Sequence, residues 1–109
     1  MVEVEIAVDD AGVLRFFRAS GHAGQGRNGN DIVCAAVSVL VRTAVRVLSG
    51  RAGVTVDCRA PEPGFLEMEA DYREEGREFL SASGEFLVEG LSSLAEEFPE
   101  NCSLSIRRI

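Results

Sequence analysis

The chain has 109 residues, of which 46% are hydrophobic, so it has the length of one ordinary domain with a single core. Its formal charge of -7 argues against broad binding to nucleic acid, which depends on clustered Lys and Arg. No apolar run reaches the length of a membrane span, and the first residues lack the basic and apolar blocks of a signal peptide. We therefore expect a cytoplasmic protein.

The chain begins with a predicted β-hairpin. Apolar and acidic residues alternate over residues 2–8, which is the period of a half-buried strand. The sequence DDAG then supplies a tight turn, and residues 13–20 read as the returning strand. A helix of about five turns follows, with Asp31 as a good N-cap and Gly50 as a good C-terminal stop.

The second half of the chain contains two further strands, a helix and a last strand. Gly84 and Gly90 lie inside the predicted helix and weaken its pattern, since each costs about 1 kcal/mol relative to Ala. Pro99 ends the helical pattern. The predicted elements are strands at 54–58 and 65–72, a helix within 77–100 and a strand at 102–106.

The element order ββαββαβ contains no internal repeat. It predicts an α+β fold, in which a mainly antiparallel sheet carries two helices packed on one face. We expect residues 1–109 to form a single domain.

Three cysteines occur in the chain, Cys34, Cys58 and Cys102, and none has CxxC spacing. This pattern favours neither a disulfide framework nor a zinc ribbon, and it suits a reducing compartment. Cys58 and Cys102 fall on the apolar phase of short strands, so we expect both to fill the core.

The stretch GHAGQGRNGNDIVCAAVS, residues 21–38, contains His22, the only histidine of the chain, and then Cys34. Three of its glycines also spell the GxGxxG pattern of dinucleotide-binding proteins, and Asp57 ends the next strand. Against that interpretation, the glycine expected inside the helix precedes its predicted cap, and the first strands alternate as in a hairpin. A surface loop without a ligand is a further alternative.

With Asp31 as N-cap, Cys34 is the third helical residue, where unpaired N–H groups and the helix dipole favour a thiolate. Ser38, Arg42 and Arg46 follow at steps of four and form a polar stripe. This spacing predicts that Cys34 lies near the solvent-facing edge of the helix.

The glycine-rich segment is long enough to fold the imidazole of His22 back over the start of this helix. That arrangement would supply the nucleophile and the base of covalent catalysis. The alternative is a loop histidine near a half-buried cysteine. A zinc site is disfavoured because His22 and Cys34 have no further ligands at close spacing, so we expect no metal and no cofactor.

The motif GHA, followed by a short loop and GNDIVCAAVS, resembles the signature of the bacterial ribosomal-processing cysteine protease family, Prp. The order of strands and helices is similar as well, so the resemblance covers nearly the whole chain. It implies a homodimeric cysteine endopeptidase that removes the N-terminal extension of large-subunit ribosomal protein twenty-seven and so supports ribosome assembly. By this resemblance Cys34 is the nucleophile and His22 the general base.

The resemblance also implies supporting residues. Asp31 matches the family aspartate and would orient His22 in addition to capping the helix. Ser38 lies one turn beyond Cys34 and would touch the same pocket.

The backbone near Cys34 and the glycine-rich loop are also expected to take part in catalysis. The N–H groups of Val33 and Cys34 are the expected oxyanion donors. Gly21 and Gly29 are the expected pivots of a loop, residues 23–30, that closes over the substrate.

The acidic chain suits a basic ribosomal protein as partner, and we expect direct binding neither to nucleic acid nor to a membrane. A second class of function remains open, a non-enzymatic, ribosome-associated module that binds a peptide without cutting it. The two classes differ in whether the thiol of Cys34 is required.

Overall fold

The computed structural model describes residues 1–21 and 28–109 of the chain, and side chains within 1–21 and 32–109. The element order is ββαββαβ, as predicted. The strands are β1 (Val2–Val8), β2 (Leu14–Ser20), β3 (Val54–Arg59), β4 (Phe65–Tyr72) and β5 (Cys102–Arg108), and the helices are α1 (Asn28–Leu48) and α2 (Glu74–Glu97).

The strands form one five-stranded sheet in the order β3-β4-β2-β1-β5. The pairs β1/β2, β2/β4 and β3/β4 are antiparallel, whereas β1 and β5 are parallel. The helix α1 connects β2 to β3, and α2 connects β4 to β5, each joining two strands that run in the same direction. The predicted α+β architecture, with a mainly antiparallel sheet and two helices on one face, is confirmed.

The core lies between the sheet and the two helices. Alternate residues of β1 and β4 point into it, as the period of two predicts, and acidic residues of the same strands point to the other face. Both helices close the core with apolar residues at helical spacing. The buried residues include Val4, Ile6, Phe17 and Met68 from the sheet, Val33, Val37 and Val41 from α1, and Leu80, Leu87 and Leu91 from α2.

The two glycines that weaken the helical pattern serve the packing of α2, which is unbroken from Glu74 to Glu97. A Cβ at Gly84 would lie 2.7 Å from the Cβ of Leu14 on β2. A Cβ at Gly90 would lie 3.2 Å from the side chain of Leu40 on α1. These glycines let α2 approach its neighbours closely, which offsets their low helix propensity.

Both helices begin earlier than the sequence predicts. Because α1 begins at Asn28, Asp31 lies in its first turn and is not the N-cap. Gly29 is also helical, so the prediction that it is a loop pivot is wrong. A glycine inside a helix costs about 1 kcal/mol, which the tertiary packing of a long helix offsets. Similarly, α2 begins at Glu74. The two acidic residues in its first turn interact favourably with the positive end of the helix dipole, which stabilises this start.

Candidate active site

Cys34 is the seventh residue of α1 and points into the core, with 1% of its surface exposed. Its Sγ donates a hydrogen bond to the carbonyl oxygen of Gly21 at 3.4 Å. The prediction that Cys34 lies near the solvent-facing edge of the helix is therefore wrong. The contact joins the first part of α1 to the end of β2.

The rotation of the helix explains this difference. Each step of four residues advances about 40° around an α-helix, so a stripe at that spacing turns by about 120° over three steps. Ser38 is half-buried, whereas Arg42 and Arg46 are exposed. The polar stripe therefore begins in the core at Cys34 and reaches solvent only two turns later.

Gly21, at the end of β2, contacts three other parts of the chain: Met1, the turn before β4 and α1. Its φ of 84° lies in the left-handed region that favours glycine. A Cβ at Gly21 would lie 2.5 Å from the carbonyl oxygen of Met1. The N–H of Gly21 donates to the carbonyl oxygen of Gly64 at 2.9 Å, and its own carbonyl accepts from Cys34. The end of β2 is thus bonded to both α1 and the turn before β4.

A groove of about 490 Å³ lies beside this contact, between α1 and the turn that joins β3 to β4. Ser38 and Arg42 form one wall, and residues 60–66 form the other. Pro61 and Pro63 stiffen that second wall, because proline fixes its own φ. The sequence marks PEPG only as a turn signal, and it contains no sign that this turn faces α1.

His22 lies outside the described residues, as does the side chain of Asp31. The predicted His22–Cys34 pair and the orienting role of Asp31 therefore stay predictions. Of the loop expected over residues 23–30, the last three residues belong to α1. That part of the prediction is wrong.

The prediction for the oxyanion donors also changes. In an α-helix that begins at Asn28, the N–H groups from the fifth residue onward bond to carbonyls one turn earlier. The N–H groups of Val33 and Cys34 are therefore used within α1 and are not free donors. In a helix with this start, the N–H groups without a partner inside the helix are those of residues 28–31.

The two remaining cysteines differ from each other. Cys102 is buried as predicted, and burial raises the pKa of its thiol. Cys58 is exposed, so its predicted core position is wrong. It lies near the end of β3, which is an edge strand of the sheet. Desolvation of the sulfur and the nearby carboxylate of Asp57 raise the pKa of Cys58.

The dinucleotide interpretation does not fit the topology. A mainly antiparallel sheet separates β2 from β3 by β4, so the segments that would form a βαβ fingerprint are not neighbours. Gly24 and Gly26 of that pattern lie outside the described residues.

Two further observations concern the described residues alone. Their side chains contain no group of three His, Cys, Asp or Glu residues arranged to hold a metal ion. Neither α1 nor α2 is long and apolar enough to cross a membrane.

Comparison with known proteins identifies the family. The family model for the cysteine protease Prp matches residues 1–103. The chain belongs to the Prp family. A relative within this family, the ribosomal processing cysteine protease Prp of Staphylococcus aureus, is 27% identical over 109 residues, which cover 98% of this chain and 100% of the relative.

Solved structures agree with the Prp assignment. The protein SMU.848 from Streptococcus mutans has a TM-score of 0.83 at 29% identity, covering 100% of this chain and 96% of that protein. The S. aureus Prp with a covalently linked product peptide has a TM-score of 0.79 at 25% identity, covering 97% and 99% of the two chains. The predicted resemblance to the Prp family is confirmed.

Proposed function

We propose that this chain is a cysteine endopeptidase that removes the N-terminal extension of large-subunit ribosomal protein twenty-seven. Cys34 is the nucleophile and His22 the general base. The observation that carries the proposal is the 3.4 Å contact between Cys34 Sγ and the Gly21 carbonyl. Because His22 follows Gly21 directly in the chain, the imidazole is attached next to the peptide unit that the sulfur contacts. This connectivity supports the proposed pairing of His22 with Cys34.

The reaction follows the usual course of covalent catalysis. The thiol proton of Cys34 moves to His22, and Sγ attacks the scissile carbonyl carbon. His22 then protonates the leaving amine as the peptide C–N bond breaks, which leaves a thioester on Cys34. In the second half, His22 accepts a proton from water and the resulting hydroxide attacks the thioester carbonyl carbon. The C–S bond then breaks, which releases the N-terminal extension as a carboxylic acid, and His22 returns its proton to Sγ.

In the state described above, the thiol donates its proton to a backbone carbonyl. Attack requires that the sulfur give up this hydrogen bond and turn its proton toward the imidazole. Asp31, in the first turn of α1, is proposed to orient His22, and Ser38 is proposed to contact the bound peptide. Gly21 keeps its proposed role as the pivot at which the chain leaves β2.

We place the substrate in the groove between Ser38 and Arg42 on one side and residues 60–66 on the other. The groove begins one helical turn from Cys34, so a peptide lying in it brings a carbonyl near the sulfur. The S. aureus relative has been solved with a product peptide that is covalently linked, which supports a covalent intermediate here. The formal charge of -7 also suits a basic ribosomal protein.

The test is cleavage of the extended ribosomal protein by wild type, Cys34→Ala and His22→Ala. We expect each substitution to lower kcat/KM by about 1,000-fold or more, because nucleophile and base act as a unit. Cys58→Ser is the matched control, since it removes an exposed thiol of the same chain and should leave cleavage unchanged. Persistent cleavage in Cys34→Ala would contradict the assigned mechanism.

A non-enzymatic, ribosome-associated module that binds a peptide is the second candidate. It is favoured by one observation, the burial of Cys34, which leaves 1% of the residue exposed. Under this alternative, wild type and Cys34→Ala bind the extended peptide equally well by calorimetry, and neither form cleaves it.

The remaining parts of the proposal concern context. We propose that residues 1–109 act as one protease domain, in the cytoplasm, as a homodimer and without a cofactor. Direct contact with nucleic acid or a membrane plays no part in this function.

A further inference from the structure

We propose that Glu62 selects substrates that carry a lysine or arginine about four residues from the scissile bond. This inference rests on the protease function proposed above and assigns a specificity-determining residue in the same groove. The groove lies between α1 and the turn that joins β3 to β4. Of the described residues that line it, two are charged, Arg42 on the helix and Glu62 on the turn. Opposite charges therefore stand on the two walls between which the peptide would lie.

Both charges are available to a bound peptide. The side chains of Arg42 and Glu62 are exposed. The ion pairs formed within residues 1–21 and 32–109 involve other arginines and other carboxylates, so these two residues pair neither with each other nor with a third described side chain. A cation that enters the groove can therefore meet the carboxylate of Glu62 without breaking an ion pair of the described residues.

The turn that carries Glu62 has a restricted backbone. The carbonyl of Glu62 accepts the N–H of Phe65 at 3.3 Å, and Gly64 has a φ of 81°. Proline at the second position and glycine at the third are typical of a type II β-turn. Because a proline precedes Glu62 and another follows it, few conformations are open to this segment. The carboxylate is therefore held on a backbone that loses little conformational entropy when a ligand binds.

Hydrogen bonds also connect this turn to the proposed nucleophile. The carbonyl of Gly64 accepts the N–H of Gly21 at 2.9 Å, and the carbonyl of Gly21 accepts the thiol of Cys34 at 3.4 Å. A single residue thus joins the turn to the sulfur. The charge on the turn therefore keeps a set position relative to the bond that is cleaved.

The spacing along α1 indicates which part of the substrate meets these charges. Arg42 lies two steps of four residues beyond Cys34, which is about 12 Å along the helix axis. An extended peptide advances about 3.3 Å per residue, so this part of the groove lies about four residues from the scissile bond. Successive side chains of such a peptide point in opposite directions, so one side chain faces the turn and the next faces the helix.

The two charges differ in what they bind. The guanidinium of Arg42 carries N–H donors, whose partners include the backbone carbonyls of any peptide. The carboxylate of Glu62 only accepts hydrogen bonds, and its strongest partners are the cationic groups of lysine and arginine. The formal charge of -7 adds a long-range attraction for basic segments. Glu62 therefore discriminates between side chains, whereas Arg42 holds the peptide backbone.

The experiment uses peptides that span the scissile bond of the extended ribosomal protein, with Lys, Gln or Glu at one position at a time. At one position about four residues from that bond, wild type is expected to cleave the Lys peptide with a kcat/KM about tenfold above that of the Glu peptide. The difference should lie in KM, because the contact is the same in the ground state and the transition state. Glu62→Gln should remove the preference, and Glu62→Lys should reverse it.

Glu78→Lys is the matched control. Glu78 is also an exposed glutamate outside every ion pair of the described residues, but it lies on α2, away from the groove. The preference for lysine should persist in this variant. Arg42→Gln should weaken cleavage of the Lys, Gln and Glu peptides by the same factor. Circular dichroism checks that each variant is folded.

A binding measurement separates this inference from the protease function. Calorimetry with Cys34→Ala gives the dissociation constants of the same peptides without cleavage, and these should show the same preference, which the further substitution Glu62→Gln should remove. The inference is overturned if no position prefers Lys over Glu, if Glu62→Gln keeps the preference, or if Glu78→Lys or Arg42→Gln abolishes it. A preference in binding without cleavage by wild type would instead overturn the protease and leave the role of Glu62.

Discussion

The two ends of strand β2 are held in different ways. At its start, the carboxylate of Asp9 accepts two backbone N–H groups of its own turn at 2.9 and 3.0 Å, and the hydroxyl of Tyr72 at 2.6 Å. At its end, the carbonyl of Gly21 accepts the thiol of Cys34 at 3.4 Å. A thiol is a weak donor, whereas a carboxylate is a strong acceptor. The hydrogen bonds of Asp9 therefore stabilise the start of β2 strongly. The hydrogen bond from the Cys34 thiol to Gly21, at the other end, is weaker and is broken more easily.

Each of these turns contains a glycine with nearly the same backbone conformation. Gly12 has φ of 80° and Gly21 has φ of 84°. A Cβ at Gly12 would meet nothing within 4 Å, whereas a Cβ at Gly21 would lie 2.5 Å from the carbonyl oxygen of Met1. Glycine is needed for its conformation at the first turn, and for its conformation and its small size at the second.

The largest effect is expected for Gly21→Ala. The left-handed conformation and the overlap with Met1 together should lower the free energy of unfolding by about 3 kcal/mol. Displacement of the Gly21 carbonyl should also lower kcat/KM for the extended substrate. Urea unfolding and the cleavage assay measure the two effects.

Gly12→Ala is the matched control for that substitution. It carries the same conformational cost without a steric contact, so we expect a loss of about 1 kcal/mol. Its cleavage rate should equal that of wild type. Equal losses of stability at the two positions would show that the approach of Met1 to Gly21 is unimportant.

A smaller effect is expected for Asp9→Ala. The substitution removes the acceptor of two backbone N–H groups, which should lower the free energy of unfolding by about 1 kcal/mol. Because this turn lies at the opposite end of β2 from Cys34, cleavage of the extended substrate should persist in the folded variant. A loss of cleavage comparable to that of Cys34→Ala would contradict the separation of the two turns.

The charge of Asp9 has a pH-dependent effect. Burial acts to raise the pKa of Asp9, but hydrogen bonds from Tyr72, Val13 and Ala11 and the charge of Arg15 outweigh it and lower the pKa below that of an ordinary aspartate. Stability from a lowered carboxyl pKa is present above the unfolded value and is lost as the pH falls through the folded value.

Thermal melts of wild type and Asp9→Asn check this direction. The variant should melt below wild type at neutral pH, and the difference should shrink as the pH falls below the ordinary pKa of an aspartate and toward the lowered pKa of Asp9. A difference that stays constant throughout the acid range would contradict the role of the charge.

The smallest effect on stability is expected for Cys58→Ser. Cys58 is exposed on an edge strand, so the substitution should change the free energy of unfolding by less than about 0.5 kcal/mol. Alkylation followed by mass spectrometry should modify Cys58 well before Cys102, which is 2% exposed. Prior alkylation of Cys102 would show that the core opens more readily than the surface thiol reacts.

Patterns of period two and about 3.6 predicted most of the fold. The alternation in β1 and β4 indicated both their bounds and their buried faces, because every second side chain of a strand points the same way. The helix starts were harder to predict. Gly29 carries a helix penalty that only tertiary packing offsets, and a single sequence contains no measure of that packing.

At the candidate site, the sequence did not predict the burial of Cys34. The polar stripe of Ser38, Arg42 and Arg46 follows Cys34 at steps of four residues, and each step advances around the helix. Cys34 therefore lies in the core although the two arginines are exposed. The side chain of Cys58 points to the same face of the sheet as that of Val56, as the alternation predicts. Cys58 is exposed nevertheless, and its strand, β3, lies at the edge of the sheet. Neither the order of strands nor the approach of residues 60–66 to α1 follows from local pattern, since both depend on contacts between distant segments.

The parallel pairing of β1 with β5 has a consequence for biosynthesis. Val2 lies opposite Cys102, so β1 acquires its second neighbour only after β5, about a hundred residues later in the chain, has emerged. The β1–β2 hairpin and α1 can assemble on a growing nascent chain, but one edge of β1 stays open until then. We therefore expect the pairing of β1 with β5, which closes the sheet, to be a late event of folding.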